Sequence, residues 1–310
     1  MKYIVTTTIF PPTEALRRFE SLPEWKLIVV GDKKTPHHLY ESNPNIIYMS
    51  PEYQESQYKA LSDLIGWNCI QRRSLGYIEA VKRGATIIAS VDDDNIPKPE
   101  WGNNLLLNQD TECKIYSPTN PEIKAFDPLS ATNHSKYWHR GYPLSLISQK
   151  NNVTCVSGII IPNVQADFWD GDPDVDAIQR LIFVPDCKFN PECFPFTSSG
   201  ISPFNSQNTF FTRDSIKNFF LFPHVGRMDD IWGSFYSQAK SDKVIYNNAS
   251  VFQVRNHHNY LVDFSKEING YLHNENIINE IMNDPEIIQK YVPEESYEAL
   301  KEYQRIMSCL

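Results

Sequence analysis

The sequence predicts an α/β protein: a mainly parallel sheet flanked by helices, followed by a helical C-terminal tail. Short continuous apolar runs, Tyr3 to Phe10, Trp25 to Val30 and Ala85 to Val91, have the form of strands buried on both faces. Stretches of helical period separate them, and alternation of this kind gives a parallel sheet with right-handed crossovers. From Glu267 onward the chain is polar-helical, with Ile277, Ile278, Ile281 and Met282 on one face.

Each element follows from local chemistry. Pro11-Pro12 stops the first strand, and Thr13 caps a short helix that turns Ala15, Leu16 and Phe19 to one side. The second strand ends in Gly31-Asp32, so Asp32 stands at a strand's carboxyl end. Residues 55 to 83 read as one long helix carrying Leu61, Leu64, Ile65, Trp67, Leu75, Ile78 and Val81, with Gly84 in the stop position. The third strand runs directly into Asp92-Asp93-Asp94. Ligands of parallel sheets bind beyond the carboxyl ends, so Asp32 and the triplet are expected on one rim. From about 110 to 150, prolines, asparagines and glycines suggest long loops, where an acceptor lid could sit. Val153 to Ile161 and Gln207 to Thr212 resume as strands.

With 310 residues the chain fits one large domain, read here as 1–265 with a helical extension, 266–310, packed on it. A net charge of -9 argues against a nucleic-acid partner, whose phosphates are met by lysine and arginine. No run approaches the roughly 20 apolar residues of a membrane span, and Met1 to Phe10 reads as a strand rather than a signal peptide. The six cysteines, with no CxxC pair, read as reduced, buried thiols of a cytoplasmic protein.

The triplet carries the strongest chemical signal. Three consecutive carboxylates at the end of a buried strand repel one another, and a hard divalent cation with oxygen ligands relieves that repulsion. Alternation points Asp92 and Asp94 one way and Asp93 the other, so the first two are candidate ligands of Mn²⁺ or Mg²⁺ and Asp93 is a candidate for a ribose hydroxyl. A solvated acidic turn is the plain alternative. Asp32 suits the edge of a nucleoside, and Thr7, at the end of the first strand, is taken as a further donor-binding residue. Arg73 is a candidate phosphate ligand, with Arg72 its neighbour on the same helix; either could equally be a solvated helix residue.

Downstream, Gly226-Arg227-Met228-Asp229-Asp230 places adjacent carboxylates at a helix start. One can be a cap; the other, Asp230 by preference with Asp229 beside it, is a candidate general base for an acceptor hydroxyl. Asp170, Asp172, Asp174 and Asp176 form an acidic cluster that departs from the calcium-loop pattern, so sugar-hydroxyl binding by Asp174 and Asp176, or helix capping, is expected. In Arg255-Asn256-His257-His258, His258 is a candidate further metal ligand or a surface histidine.

Together, Val29 to Pro36, Arg72 to Tyr77, the triplet, Asp172 to Ala177, and Arg255 to His258 running to Gly270-Tyr271-Leu272 resemble the catalytic domain of the plant STELLO proteins and their microbial relatives. A fainter likeness is to reversibly glycosylated polypeptides. The resemblance spans residues 3 to 275. It implies an A-type glycosyltransferase fold, a nucleotide-sugar donor and Mn²⁺ or Mg²⁺ at the triplet, which then serves as the DXD motif. The expected function is transfer of a sugar from a nucleoside diphosphate, UDP foremost, to an acceptor hydroxyl such as that of a surface glycan. Two alternatives stay open: a nucleotide-sugar mutase, and a non-catalytic glycan-binding or scaffold protein on the same fold.

Overall fold

The computed structural model describes residues 1–253 and 259–310. In chain order its elements begin with β1 (Lys2–Thr8), α1 (Glu14–Glu20), β2 (Trp25–Gly31), α2 (His38–Glu41), β3 (Ile46–Met49) and α3 (Pro51–Ile65). There follow α4 (Arg73–Lys82), β4 (Ile87–Val91), β5 (Asn95–Pro97), β6 (Thr111–Pro118), β7 (Val153–Ile160), β8 (Val164–Gly171) and α5 (Ala177–Ile182). The chain ends with β9 (Phe196–Ser198), β10 (Asn208–Thr212), α6 (Asp229–Ala239), β11 (Val244–Gln253), α7 (Tyr260–Ile281) and α8 (Glu294–Ser308).

All the strands join one sheet in the order β3-β2-β1-β4-β10-β8-β11-β9-β6-β7, with β5 paired to β11 off that path. The first four lie parallel. Because β10 is antiparallel to both β4 and β8, strand β8 and its parallel neighbour β11 point the same way as β1. The carboxyl ends of β1, β2, β4, β8 and β11 therefore share one rim. Asp32 and the aspartate triplet lie on it, as the strand pattern predicts.

Local chemistry accounts for the elements that position this rim. Thr13 accepts a hydrogen bond from the Leu16 amide at 3.2 Å, and α1 buries Ala15, Leu16 and Phe19. Phe19 meets Trp101 with ring centroids 4.9 Å apart, and Trp25 and Phe210 close around the same indole. The tail buries Ile277, Ile278 and Ile281, whereas Met282 sits past the end of α7 and is 55% exposed. Residue 266 falls inside α7, which starts at Tyr260. Among the described residues no helix is long and apolar enough to cross a membrane.

Three expectations change. The single helix over 55–83 is two: α3 ends at Gly66 (φ 78°), Asn68 takes φ 60°, and a 3₁₀ turn over Ile70–Arg72 leads into α4. Within 110–150, strand β6 is an element that the weak periodicity hides, because its side chains are only half buried. All six cysteines are unpaired, but Cys155 and Cys309 are exposed rather than core filler.

Gly76 sets how closely α4 lies on the sheet, since a Cβ there would stand 2.4 Å from Val5 Cγ1 and 2.7 Å from Val30 Cγ2. Gly76→Leu is expected to lower stability by about 1–3 kcal/mol through overpacking, read as a fall in melting temperature.

Candidate active site

The apolar strand β4 ends in three aspartates, each half buried. Asp92 Oδ1 receives Arg73 Nη2 at 2.6 Å, and the Asp92 side chain keeps 33% exposure while that of Arg73 keeps 2%. The guanidinium also donates through Nη1 to the Ser206 carbonyl at 2.8 Å and to Ser90 Oγ at 3.3 Å. The expected contact of Arg73 with a diphosphate gains no support: the side chain is buried and its Nη2 is directed at Asp92 and, at 3.5 Å, at Thr7 Oγ1. Arg72 is likewise interior. Its guanidinium stacks on Trp67, 3.3 Å from the ring centroid, and binds Gln54, Gly66 and Ser62, so it fastens the turn between α3 and α4.

Burial raises the Asp93 carboxyl above its ordinary range, and the charge of Asp92 adds to that against hydrogen bonding from Thr8 and the pull of Arg73. Its main-chain carbonyl accepts Thr13 Oγ1 at 2.5 Å, tying the triplet to the start of α1. Asp32 is held just as firmly: Oδ2 accepts the Cys69 amide at 3.2 Å and Oδ1 the Lys33 amide at 2.6 Å. Thr7, Asp32, Cys69 and Asp93 border a common cleft of about 240 Å³ on the rim. Asp93 also borders a second hollow of about 400 Å³ together with Phe10, Thr13 and Asp94. The structure thus gathers Thr7, Asp32, Asp93 and the rest of the triplet in one place.

Among the described residues no three histidine, cysteine or carboxylate side chains converge as a metal cage. Mg²⁺ and Mn²⁺ do not need one, since one or two carboxylates plus ligand phosphates complete their shell. The oxygen-only donor set of Asp92 and Asp94 fits such an ion. His258, with Arg255, Asn256 and His257, lies outside the described residues.

The remaining candidates occupy a buried network centred on Arg140. Its guanidinium grips Asp174 twice, Nε to Oδ1 at 2.8 Å and Nη2 to Oδ2 at 2.9 Å, and reaches Asp230 Oδ1 from Nη1 at 3.1 Å; it also donates to the Arg227 carbonyl. Asp230 is 4% exposed, and its Oδ2 accepts the Ser206 amide at 3.0 Å. Asp229 accepts Gln71 Nε2 at 2.7 Å. Burial would raise Asp174, yet the Arg140 charge overrides this and holds it far below the usual carboxylate range. Asp176 caps α5 through the Gln179 amide at 3.0 Å, accepts the Trp138 indole N–H at 2.5 Å, and is pushed up to about 6 by burial.

These positions give no support to four assignments. A general base must touch the acceptor hydroxyl, whereas Asp229 and Asp230 are enclosed and already hydrogen-bonded. Asp174 and Asp176 are enclosed as well, one as an ion-pair partner and the other as a helix cap, so neither meets a donor. The acidic run is not one cluster: Asp170 pairs with Lys98, Asp172 with Arg180 and Asp174 with Arg140. Arg140 and Ser206 escape notice in the sequence because they lie in aperiodic segments, and Gln71 because it sits at the unforeseen break between two helices. Their one signal is indirect: a chain that buries so many carboxylates must also bury cations and donors to meet them. Ser206 joins the two networks, accepting from Arg73 through its carbonyl and donating to Asp230 through its amide.

Removing Arg140 strands two buried carboxylates, so Arg140→Leu is expected to cost about 3–5 kcal/mol in urea unfolding. Asp229 is pushed from 3.8 up to about 7, by burial first and the Asp230 charge second. With its pKa raised on folding, Asp229 contributes stability that is complete below pH 3.8 and is lost as pH climbs through about 7. Asp229→Asn is expected to flatten that part of the stability profile, measured by urea unfolding at intervals between pH 5 and 8.

No model of a known protein family matches this sequence. It is 23% identical over 254 residues to probable glycosyltransferase STELLO2 of Arabidopsis thaliana, covering 76% of this chain and 33% of that protein. To probable glycosyltransferase STELLO1 of the same plant it is 26% identical over 187 residues, 57% of this chain and 24% of that one. The chain thus spans at most about a third of the relatives it matches. Among solved structures, glucosyl-3-phosphoglycerate synthase from Mycobacterium tuberculosis, in complex with phosphoglyceric acid, superposes with a TM-score of 0.47 at 11% identity, over 89% of this chain and 80% of that one. A mannosyltransferase from Pyrobaculum calidifontis, in complex with GDP-Man and Mn²⁺, gives 0.41 at 9% identity, over 98% and 69%. The chain is thus distantly similar to the probable glycosyltransferases STELLO1 and STELLO2.

Proposed function

We propose that this chain is a glycosyltransferase that moves a sugar from a nucleoside diphosphate, UDP foremost, to an acceptor hydroxyl such as that of a surface glycan. The observation that carries the reading is the shared cleft of Thr7, Asp32 and Asp93 beside the aspartate triplet, on the rim where parallel strands end. The similarity to proteins named as probable glycosyltransferases supports it. The six unpaired cysteines favour a reducing, cytoplasmic setting.

In this reading Asp32, its oxygens oriented by the Cys69 and Lys33 amides, takes the nucleoside, while Asp93 and Thr7 take the ribose. Asp92 and Asp94 hold Mn²⁺ or Mg²⁺. When bound, that ion offsets the charge gathering on the departing diphosphate. Arg73 is a positioning residue: it holds Asp92 in place and limits the charge of the triplet before a ligand arrives. Asp229, Asp230 and Asp174 support this arrangement from below and do not touch the reacting atoms.

Calorimetry with UDP, with and without Mn²⁺, tests the reading. UDP binding is expected to depend on the ion, and Asp94→Ala is expected to weaken metal-dependent binding at least about tenfold, the equivalent of 1.4 kcal/mol. Undiminished metal-dependent binding in Asp94→Ala would sink the assignment.

A further inference from the structure

A second polar cavity, of about 290 Å³, opens on the far side of β5 from the triplet. It is bordered by Lys98, Asp167, Asp170, Phe189, Asn247 and Asn248. Strand β5 separates Asp94 from Lys98, so at about 3.3 Å per residue the cavity begins no more than roughly 13 Å from the triplet. It belongs to the same rim, because Asp170 lies at the carboxyl end of β8 and Val251–Gln253 complete β11 beside it.

Two features of the cavity exceed what the fold requires. The β8–β11 ladder is broken: Asn247 faces Asp167 and Val251 faces Trp169, so Asn248, Ala249 and Ser250 stand opposite Phe168 alone. Such a bulge re-aims side chains, and here it brings two consecutive asparagines to the cavity. Asn248 Oδ1 is buried with no hydrogen-bond partner, and the Asn247 side chain makes a long contact of 3.4 Å to the Asn104 carbonyl and hydrogen-bonds to Asp167. Native structures rarely leave such an atom unmet, and a ligand hydroxyl is the kind of group that would satisfy it.

The chemistry selects the ligand. Lys98 is neutralised by Asp170 at 2.8 Å, and Asp167 is buried and, among the described residues, forms no ion pair. Burial pushes the Asp167 carboxyl up to about 7, so near neutral pH it can both donate and accept. With Glu100 and Lys188 also on its border, the site carries nearly balanced charge, which favours a neutral ligand over phosphate. It offers acceptors and amide donors beside the buried Phe189, which suits a ring with hydroxyls on its edge and C–H groups on its face.

We infer that this cavity is a subsite for one pyranose ring of the acceptor, held by Asn247 and Asn248 with Asp167 orienting them from behind, and presented to the aspartate rim. The inference rests on the donor reading of that rim. It narrows the acceptor to a neutral glycan.

Saturation-transfer NMR on the full chain with UDP and Mn²⁺ tests it, using methyl glycosides of glucose, galactose and mannose as probes. At least one is expected to receive saturation without displacing UDP, and the signal is expected to fall tenfold or more in Asn248→Leu. Asp167→Asn keeps the shape and is expected to weaken the signal less. Melting temperatures and UDP calorimetry on both variants guard against misfolding. Absence of transfer to every glycoside, a signal unchanged in Asn248→Leu, or competition with UDP would each overturn the subsite. Failure of the native chain to bind UDP would instead count against the donor reading.

Discussion

The ion pair between Arg73 and Asp92 joins the aspartate turn to the interior, and the rim depends on it. A fully buried guanidinium is costly unless its donors are met, and here Asp92, Ser206 and Ser90 meet them. Arg73 Nε remains buried without a partner, so the arrangement is not wholly relaxed. In return, one member of a mutually repelling triplet has a fixed counter-charge, while Asp93 and Asp94 remain at the edge of the cleft. The site is therefore partly organised before any ligand arrives, which lowers the reorganisation that binding demands.

The broken helix makes this pair possible. Gly66 and Asn68 turn the chain, Arg72 closes the turn by stacking on Trp67, and α4 begins under the strand ends with Arg73 as its first residue. Gly76, three residues on, lets the helix press against β1 and β2. Because the same turn presents the Cys69 amide to Asp32, one local irregularity serves both the metal side and the nucleoside side of the proposed donor cleft.

Behind the rim, Arg140 gathers Asp174 and Asp230 from segments distant in sequence, and Ser206 couples that group to Arg73. Buried carboxylates in such a network are held for architecture, and their altered proton affinities follow from burial and neighbouring charge. A perturbed carboxyl in this protein is thus no sign of catalysis by itself: Asp229, among the strongly raised ones, is sealed from any acceptor.

The sequence by itself determined the parallel strands, their common rim, the Thr13 cap and the placing of Asp32 and the triplet at strand ends. These follow from apolar runs and cap chemistry, which act over a few residues and leave a visible period. Only the tertiary structure decided which carboxylates border an open cleft. Asp230, Asp174 and Asp176 read as exposed acids in the chain, yet Arg140 and Trp138, from an aperiodic stretch, bury them. The helix break at Gly66, the half-buried strand β6 and the bulge at Asn248 were hidden as well. The strand and the bulge are fixed by partners far along the chain, which leave no period that local spacing can reveal, and the break rests on the Gly66 and Asn68 backbone and the Arg72–Trp67 stack, which interrupt a helical period without erasing it.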